Sequence, residues 1–224
     1  MPQRTNKKIF IYFFLLIILG TLQNLSLKEI NYPKVKKIDI FGLPKNENLK
    51  LSNELEFLKF QDLFFLDQLK IDEILESNNL VESYTVYKIF PSTLKIDIKK
   101  TKILANTYKD GSNFLIGTNG KLIETKVKIN DKPFVFGNFS IEEFLLFKKI
   151  IDDSQLDYKE IKNIYFFNSG RWDIEIHNGL LLKLPKTRTM DALNLSMKLI
   201  SKDEFLKAKI IDTRMKNQVI LNEK

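Results

Sequence analysis

Apolar and polar positions fall into three textures along the chain. The first is one nearly unbroken apolar run. Ile9–Leu22 follows Arg4, Lys7 and Lys8, and no charge appears before Lys28. The uncharged stretch 9–27 reaches about 28 Å as a helix, close to the thickness of a bilayer core. It predicts a transmembrane helix with a short cytoplasmic tail, 1–8, before it. A cleaved signal peptide is the alternative, since the densest part, Ile9–Leu22, also suits its shorter apolar region. Bulky Leu22, Leu25 and Leu27 stand where a signal peptidase needs small residues, which favours an uncleaved anchor. Positive residues before the run and few after it orient the N-terminus to the cytoplasm and everything from Lys28 onward outside the inner membrane.

The second texture, 28–102, mixes both periodicities. Val35–Gly42 predicts a strand ending in a glycine turn. Leu51, Leu55 and Leu58 fall at helical spacing within Leu49–Leu58, as do Leu69, Ile71, Ile74 and Leu75 within Asp67–Glu76. Val81–Phe90 and Leu94–Ile98 alternate as strands around Pro91-Ser92-Thr93. Pro91 lacks an N–H and fixes φ, so it belongs at the turn. The order strand, helix, helix, strand, strand predicts a small sheet with helices on one face. Either Val35–Phe41 or Tyr84–Phe90 is a candidate free edge.

The third texture, from Ile103, is mostly strands. Asn119-Gly120 between Phe114–Ile116 and Lys121–Glu124 is a hairpin signal. Ser140-Ile141-Glu142-Glu143 is a capping box opening a helix through Ile151. Ile161–Phe167, Arg171–Ile176 and Leu180–Leu184 predict three strands, Met190–Ile200 a helix with Leu193, Met197 and Ile200 inward, and Ala208–Thr213 and Gln218–Leu221 the last strands. The expected class is α+β: one transmembrane helix over 9–27, a β-α-α-β-β unit over 28–102, and a mostly antiparallel sheet with two helices over 103–221. A short tail, 222–224, follows.

Composition adds mainly exclusions. With 44% hydrophobic and 29% charged residues the chain can build ordinary cores. Cys is absent, which removes disulfides, thiolate metal sites and Cys nucleophiles. The net charge of +8 comes from lysines interleaved with acids, a solvated basic surface rather than a nucleic-acid site. His177 is the only histidine and precedes Asn178-Gly179 in a turn, with no second histidine for a metal. No G-x-S-x-G elbow or Walker spacing is present. No catalytic constellation and no cofactor is expected; binding is.

The assembled motifs resemble the FtsQ/DivIB family of bacterial division proteins. The family hairpin pattern is matched in order by Val86, Lys88, Phe90, Pro91, Thr93, Leu94, Ile96 and Ile98. "FLIGTNGKLI", "KPFVFG", "RWDIEIHNGLLLKL" and "IIDTR" follow in family order, with Gly117 where an acid is usual. The resemblance implies a POTRA domain over 28–102 and an FtsQ-type β-domain over 103–221. It implies a non-enzymatic inner-membrane scaffold at the division septum, with its C-terminal domains periplasmic. It also implies FtsB- and FtsL-like single-pass partners, further divisome proteins met through the POTRA unit, and a role in septal peptidoglycan synthesis. The last strand, roughly Lys216–Leu221, would offer a sheet edge for strand addition. The candidate partner-binding residues are Arg171, Arg214, Met215, Asn217, Gln218, Val219, Ile220 and Leu221. Arg171 and Arg214 have a second reading as intramolecular ion pairs or rim charges, and Val219 and Ile220 as ordinary core. A POTRA-bearing chaperone or secretion component is the alternative function.

Overall fold

The computed structural model describes residues 5–22, 32–201, 208–216 and 218–223. Helix α1 spans Thr5–Leu22, and the side chains from Lys8 to Thr21 are exposed all round it. Among the described residues no helix is long and apolar enough to cross a membrane. Residues 23–27 of the expected span lie outside the described residues.

Two sheets follow, with order β1-β3-β2 in the first, where β1 is Lys37–Phe41, β2 is Val81–Ile89 and β3 is Thr93–Lys100. β2 and β3 form the antiparallel hairpin, and β1 joins β3 in parallel, Ile38 opposite Leu94 and Ile40 opposite Ile96. Both candidate edges are therefore edges of this sheet. Helix α2 is Lys45–Glu54, earlier than Leu49–Leu58. Pro44 at its N-cap explains the shift, because a fixed φ and a missing N–H cost nothing at a helix start. The helix gives way at Leu55 to a 3₁₀ turn, Glu56–Phe60, which still buries Leu51, Leu55 and Leu58 on one side. Helix α3, Gln68–Ser77, is capped by Asp67, whose side chain accepts from the Lys70 N–H. Ile71 and Leu75 are fully buried, but Leu69, in the first turn of α3, is 81% exposed, so helical apolar spacing does not bring every one of these residues to the core. Gly42, with φ of +108°, has its backbone so close to β3 that a Cβ would lie 1.7 Å from the Ile98 carbonyl oxygen.

The second sheet has nine strands in the order β12-β11-β10-β9-β8-β7-β4-β5-β6. The strands are β4 Ile103–Lys109, β5 Ser112–Gly117, β6 Leu122–Glu124, β7 Phe134–Phe136, β8 Ile161–Phe166, β9 Trp172–Ile176, β10 Leu181–Lys183, β11 Ala208–Asp212 and β12 Ile220–Glu223. Three pairings are parallel, β4–β7, β7–β8 and β10–β11, so the sheet is mixed though mostly antiparallel. The pattern reading missed β7, which is too short to show an alternation. Buried Asn106 explains its position: its side chain donates to the carbonyls of Ile129 and Lys132 and accepts from the Ile129 N–H, pinning the loop that delivers β7. β12 runs on through Asn222 and Glu223, which sequence had left to the tail, and starts later than Gln218.

One face of this sheet carries a row of direct cross-strand partners: Val135, Ile164, Ile174, Leu182 and Ile211, all 0–1% exposed. Leu221 continues the row on β12. Helices α4, Ile141–Asp152, and α5, Thr189–Ile200, pack on it through Phe144, Phe147, Ile151, Ala192 and Leu193. The predicted capping box at Ser140 and Glu143 is formed. Trp172 stacks on Phe147 with ring centroids 4.7 Å apart and planes 6° from parallel. Burial of each such side chain contributes about 1.5–3 kcal/mol.

Polar contacts join the two sheets. Asn119 Nδ2 donates to the carbonyls of Asn79 and Val81, Asn79 Nδ2 donates to the Leu122 carbonyl, and the Thr118 hydroxyl donates to Glu82, which also pairs with Lys99. A Cβ at Gly117 would stand 2.5 Å from Asn119 Oδ1 and 2.7 Å from Thr101 Oγ1. This junction leaves no room for an acidic side chain at that position.

Candidate functional site

The residues singled out from sequence near the C-terminus flank the last strands of the large sheet: Arg171 precedes β9, Arg214 and Met215 follow β11, Gln218 and Val219 precede β12, and Ile220 and Leu221 lie in β12. Turn 168–170 precedes Arg171, and Gly170 there has φ of +77°, a conformation that favours glycine. The Arg171 guanidinium lies over the Phe167 ring, 4.2 Å from its centroid, and Nε is 3.5 Å from Asp173 Oδ1. That Nε is buried, and among the described residues it has no hydrogen-bond acceptor. Asp173 is 2% exposed. Burial raises its carboxyl above the ordinary range, opposed chiefly by the charge of Arg171 and by the Leu184 N–H.

Cross-strand register then sets a row of alternating charge: Asp173 on β9, Lys183 on β10, Asp212 on β11, and exposed Ile220 on edge strand β12. Arg214 folds back onto Asp212, Nε donating to Oδ1 at 2.8 Å and Nη2 to Oδ2 at 2.5 Å. The hydrogen bonds from Arg214 hold the Asp212 carboxyl below its usual value and push the guanidinium up. Arg214 is thus an intramolecular ion pair, whereas Arg171 has only a long contact to Asp173. In the next row Glu175 accepts from Tyr165 Oη at 2.7 Å, Asn163 Nδ2 at 2.9 Å and Lys162 Nζ at 3.0 Å. These bonds, Asn163 first, hold its carboxyl down to about 2.

Val219 and Leu221 pack against the core, while Met215, Gln218 and Ile220 are exposed. Asn217 lies outside the described residues. Beside β12 a pocket of about 300 Å³ opens between the start of α5 and the strand connection, lined by Pro185, Arg188, Leu195, Met215, Gln218 and Val219 among others. Sequence reading missed Pro185, Arg188, Asp173 and Lys183. A charge at the second position of "WDIEI", inside a run of buried residues, was the available signal for Asp173. The small-sheet hairpin divides in two: Leu94 and Ile96 are fully buried and Val86 packs beside them, whereas Lys88 and Phe90 are exposed around Pro91 and Thr93. His177 is an exposed turn residue, and among the described residues no three His, Asp or Glu gather as a metal site.

No protein-family model matches the chain. The cell division protein DivIB of Clostridium botulinum strain Hall is 26% identical over 227 residues, covering 92% of this chain and 86% of that protein; the strain Loch Maree protein matches equally. The cell division protein FtsQ of Bradyrhizobium diazoefficiens is 23% identical over 163 residues, 71% of this chain and 48% of its own length. Among solved structures, the major extracytoplasmic domain of the trans isomer of Geobacillus stearothermophilus DivIB matches with a TM-score of 0.33 and 16% identity. It covers 42% of this chain and 87% of that one, a likeness too low to argue from. By sequence, then, the chain is similar to bacterial cell-division proteins of the DivIB and FtsQ kind.

Proposed function

We propose that this chain is a non-enzymatic division scaffold, anchored in the inner membrane by the helix over 9–27. In this reading a POTRA unit, 28–102, and a β-domain, 103–221, stand in the periplasm and recruit FtsB- and FtsL-like single-pass proteins at the septum. The observation that carries the reading is the edge strand β12. An edge strand presents unpaired N–H and C=O groups to which a partner strand can add. The opposite edge of the sheet, β6, is a weaker candidate, because Asn79 of the small sheet already donates to the Leu122 carbonyl there. Ile220 on the outer face and the pocket beside Met215 and Val219 would give such a strand side-chain contacts. Arg171, whose side chain is 26% exposed and whose contact to Asp173 is long, would meet an acid on the partner through the outer end of its guanidinium.

The test is recovery of partners with the full-length chain from membranes, beside Ile220→Lys and Val219→Pro. A lysine on an edge disfavours strand addition, and a proline removes an N–H. Loss of small single-pass proteins with both variants, while Trp172 fluorescence stays native, is the expected outcome. Undiminished recovery with both, from folded protein, removes β12 as the site.

A further inference from the structure

The large sheet buries Phe144, Phe147 and Trp172 at its centre, whereas the small sheet leaves four aromatic rings exposed at its hairpin end. Tyr32, Phe64, Phe65 and Phe90 are 37%, 49%, 69% and 55% exposed. They form one cluster: Tyr32 meets Phe64 and Phe65 edge-on at 5.3 and 5.2 Å, and Phe64 lies 4.9 Å from Phe90. Backbone bonds fix the cluster to the place where the chain arrives from α1. The Val35 N–H donates to the Gln61 carbonyl and the Lys36 N–H to the Ser92 carbonyl at the hairpin turn. If the membrane span closes at Leu27, only four residues separate it from Tyr32, at most about 18 Å of extended chain.

Charge points the same way. Segments 32–37, 59–65 and 87–95 hold six lysines and one acid, Asp62; Lys37, Lys59 and Lys95 pair with Asp39, Glu56 and Asp97 just outside them, which leaves Lys34, Lys36 and Lys88 as the charges at the cluster. Lys88 Nζ caps the Phe64 carbonyl, which holds the ammonium beside the rings. Apolar rings that insert at the headgroup boundary, with lysines beside them, are what an anionic bilayer surface attracts.

We propose that this end of the small sheet, Tyr32, Phe64, Phe65 and Phe90 with Lys34, Lys36 and Lys88, sits in the headgroup layer of an anionic membrane. The proposal rests on the reading of α1 as an anchor. Seated this way, the small sheet holds a set tilt above the bilayer and projects the large sheet away from it.

The chain has no cysteine, so single-cysteine variants can be labelled cleanly. Full-length Phe65→Cys and Lys109→Cys would carry an environment-sensitive fluorophore in vesicles of phosphatidylcholine with about one third phosphatidylglycerol. Lys109 is an exposed residue at the far end of β4. The expected result is blue-shifted emission at 65, quenched by nitroxide-bearing lipid, with water-like emission at 109. Replacing Lys34, Lys36 and Lys88 by Gln should lower the docked-to-undocked ratio about fivefold per lysine. Water-like, unquenched emission at 65 in protein that resists alkaline extraction overturns the proposal and leaves the anchor standing. Protein stripped by alkali overturns the anchor reading instead. A shift at 65 that needs an added protein rather than the lipid also overturns the proposal, in favour of protein docking.

Discussion

The two sheets solve the same packing problem with opposite uses of aromatic residues. The fully buried core of the small sheet is aliphatic: Val35, Leu51, Leu55, Leu58, Leu63, Ile71, Leu75, Leu94 and Ile96 close it, Phe57 and Tyr84 pack at its margin, and phenylalanines 41, 60, 64, 65 and 90 stand outside. In the large sheet Phe144, Phe147 and Trp172 are the centre of the core, and Phe139 and Phe166 lean on them. Aliphatic side chains fill the centre of the small core, and rings reach only its margin. Aromatic residues left at that surface are then not explained by folding, and their clustering asks for a function. The large sheet, by contrast, centres its core on rings, and β12 forms one of its edges.

The contrast can be broken from several directions. Gly42→Ala should have the largest effect, since the added methyl meets the Ile98 carbonyl carbon and oxygen on β3; loss of folded small sheet by circular dichroism and proteolysis is expected. Phe147→Ala should cost about 3–5 kcal/mol in chemical denaturation, and Trp172 emission should shift even in the folded state because its stacking partner is gone. Asn119→Ala leaves the Asn79 and Val81 carbonyls without their donor, a cost of about 1–3 kcal/mol. The same change should separate unfolding of the two sheets into two calorimetric transitions.

Glu175 supplies a pH-dependent case. Its carboxyl is held down to about 2 against an ordinary 4.5 by the bonds from Asn163, Tyr165 and Lys162. A depressed acid contributes stability that is fully present above about pH 4.5 and is lost as pH falls toward 2. Glu175→Gln should therefore lower stability at neutral pH by about 1–2 kcal/mol, and the gap to wild type should close in acid titrations over that range. Phe65→Ser should change stability least, within about 0.5 kcal/mol, because the ring is outside the aliphatic core. A large loss there would end the division of labour between the two sheets.

Much of this was legible in the sequence where a single face sets the pattern. Leu94, Ile96 and Ile98 alternate because β3 is central, with β1 and β2 on either side, and one face is buried. Ser140 and Glu143 announced α4 because the capping box is local chemistry. What depends on distant contacts was not legible. β7 is three residues long and exists because Asn106 pins its loop. Leu69 obeys helical spacing yet points away from the core, since periodicity does not say where the core ends. At the candidate site, Arg171 and Arg214 stood out, but only register shows that Asp173, Lys183 and Asp212 make one row and that Arg214 is already paired. The start of β12 at Ile220 rather than Gln218 likewise follows from pairing with Asp212 rather than from any local signal.

In the proposed function a partner strand adds along edge strand β12. Placing a photo-crosslinking residue at Asn222 on β12, and separately at Glu124 on the opposite edge strand β6, in dividing cells tests this. Crosslinks to a small single-pass protein from position 222 and none from 124 are expected. Crosslinks from 124 alone, or from neither position in a protein that still localises to the septum, would contradict strand addition at β12.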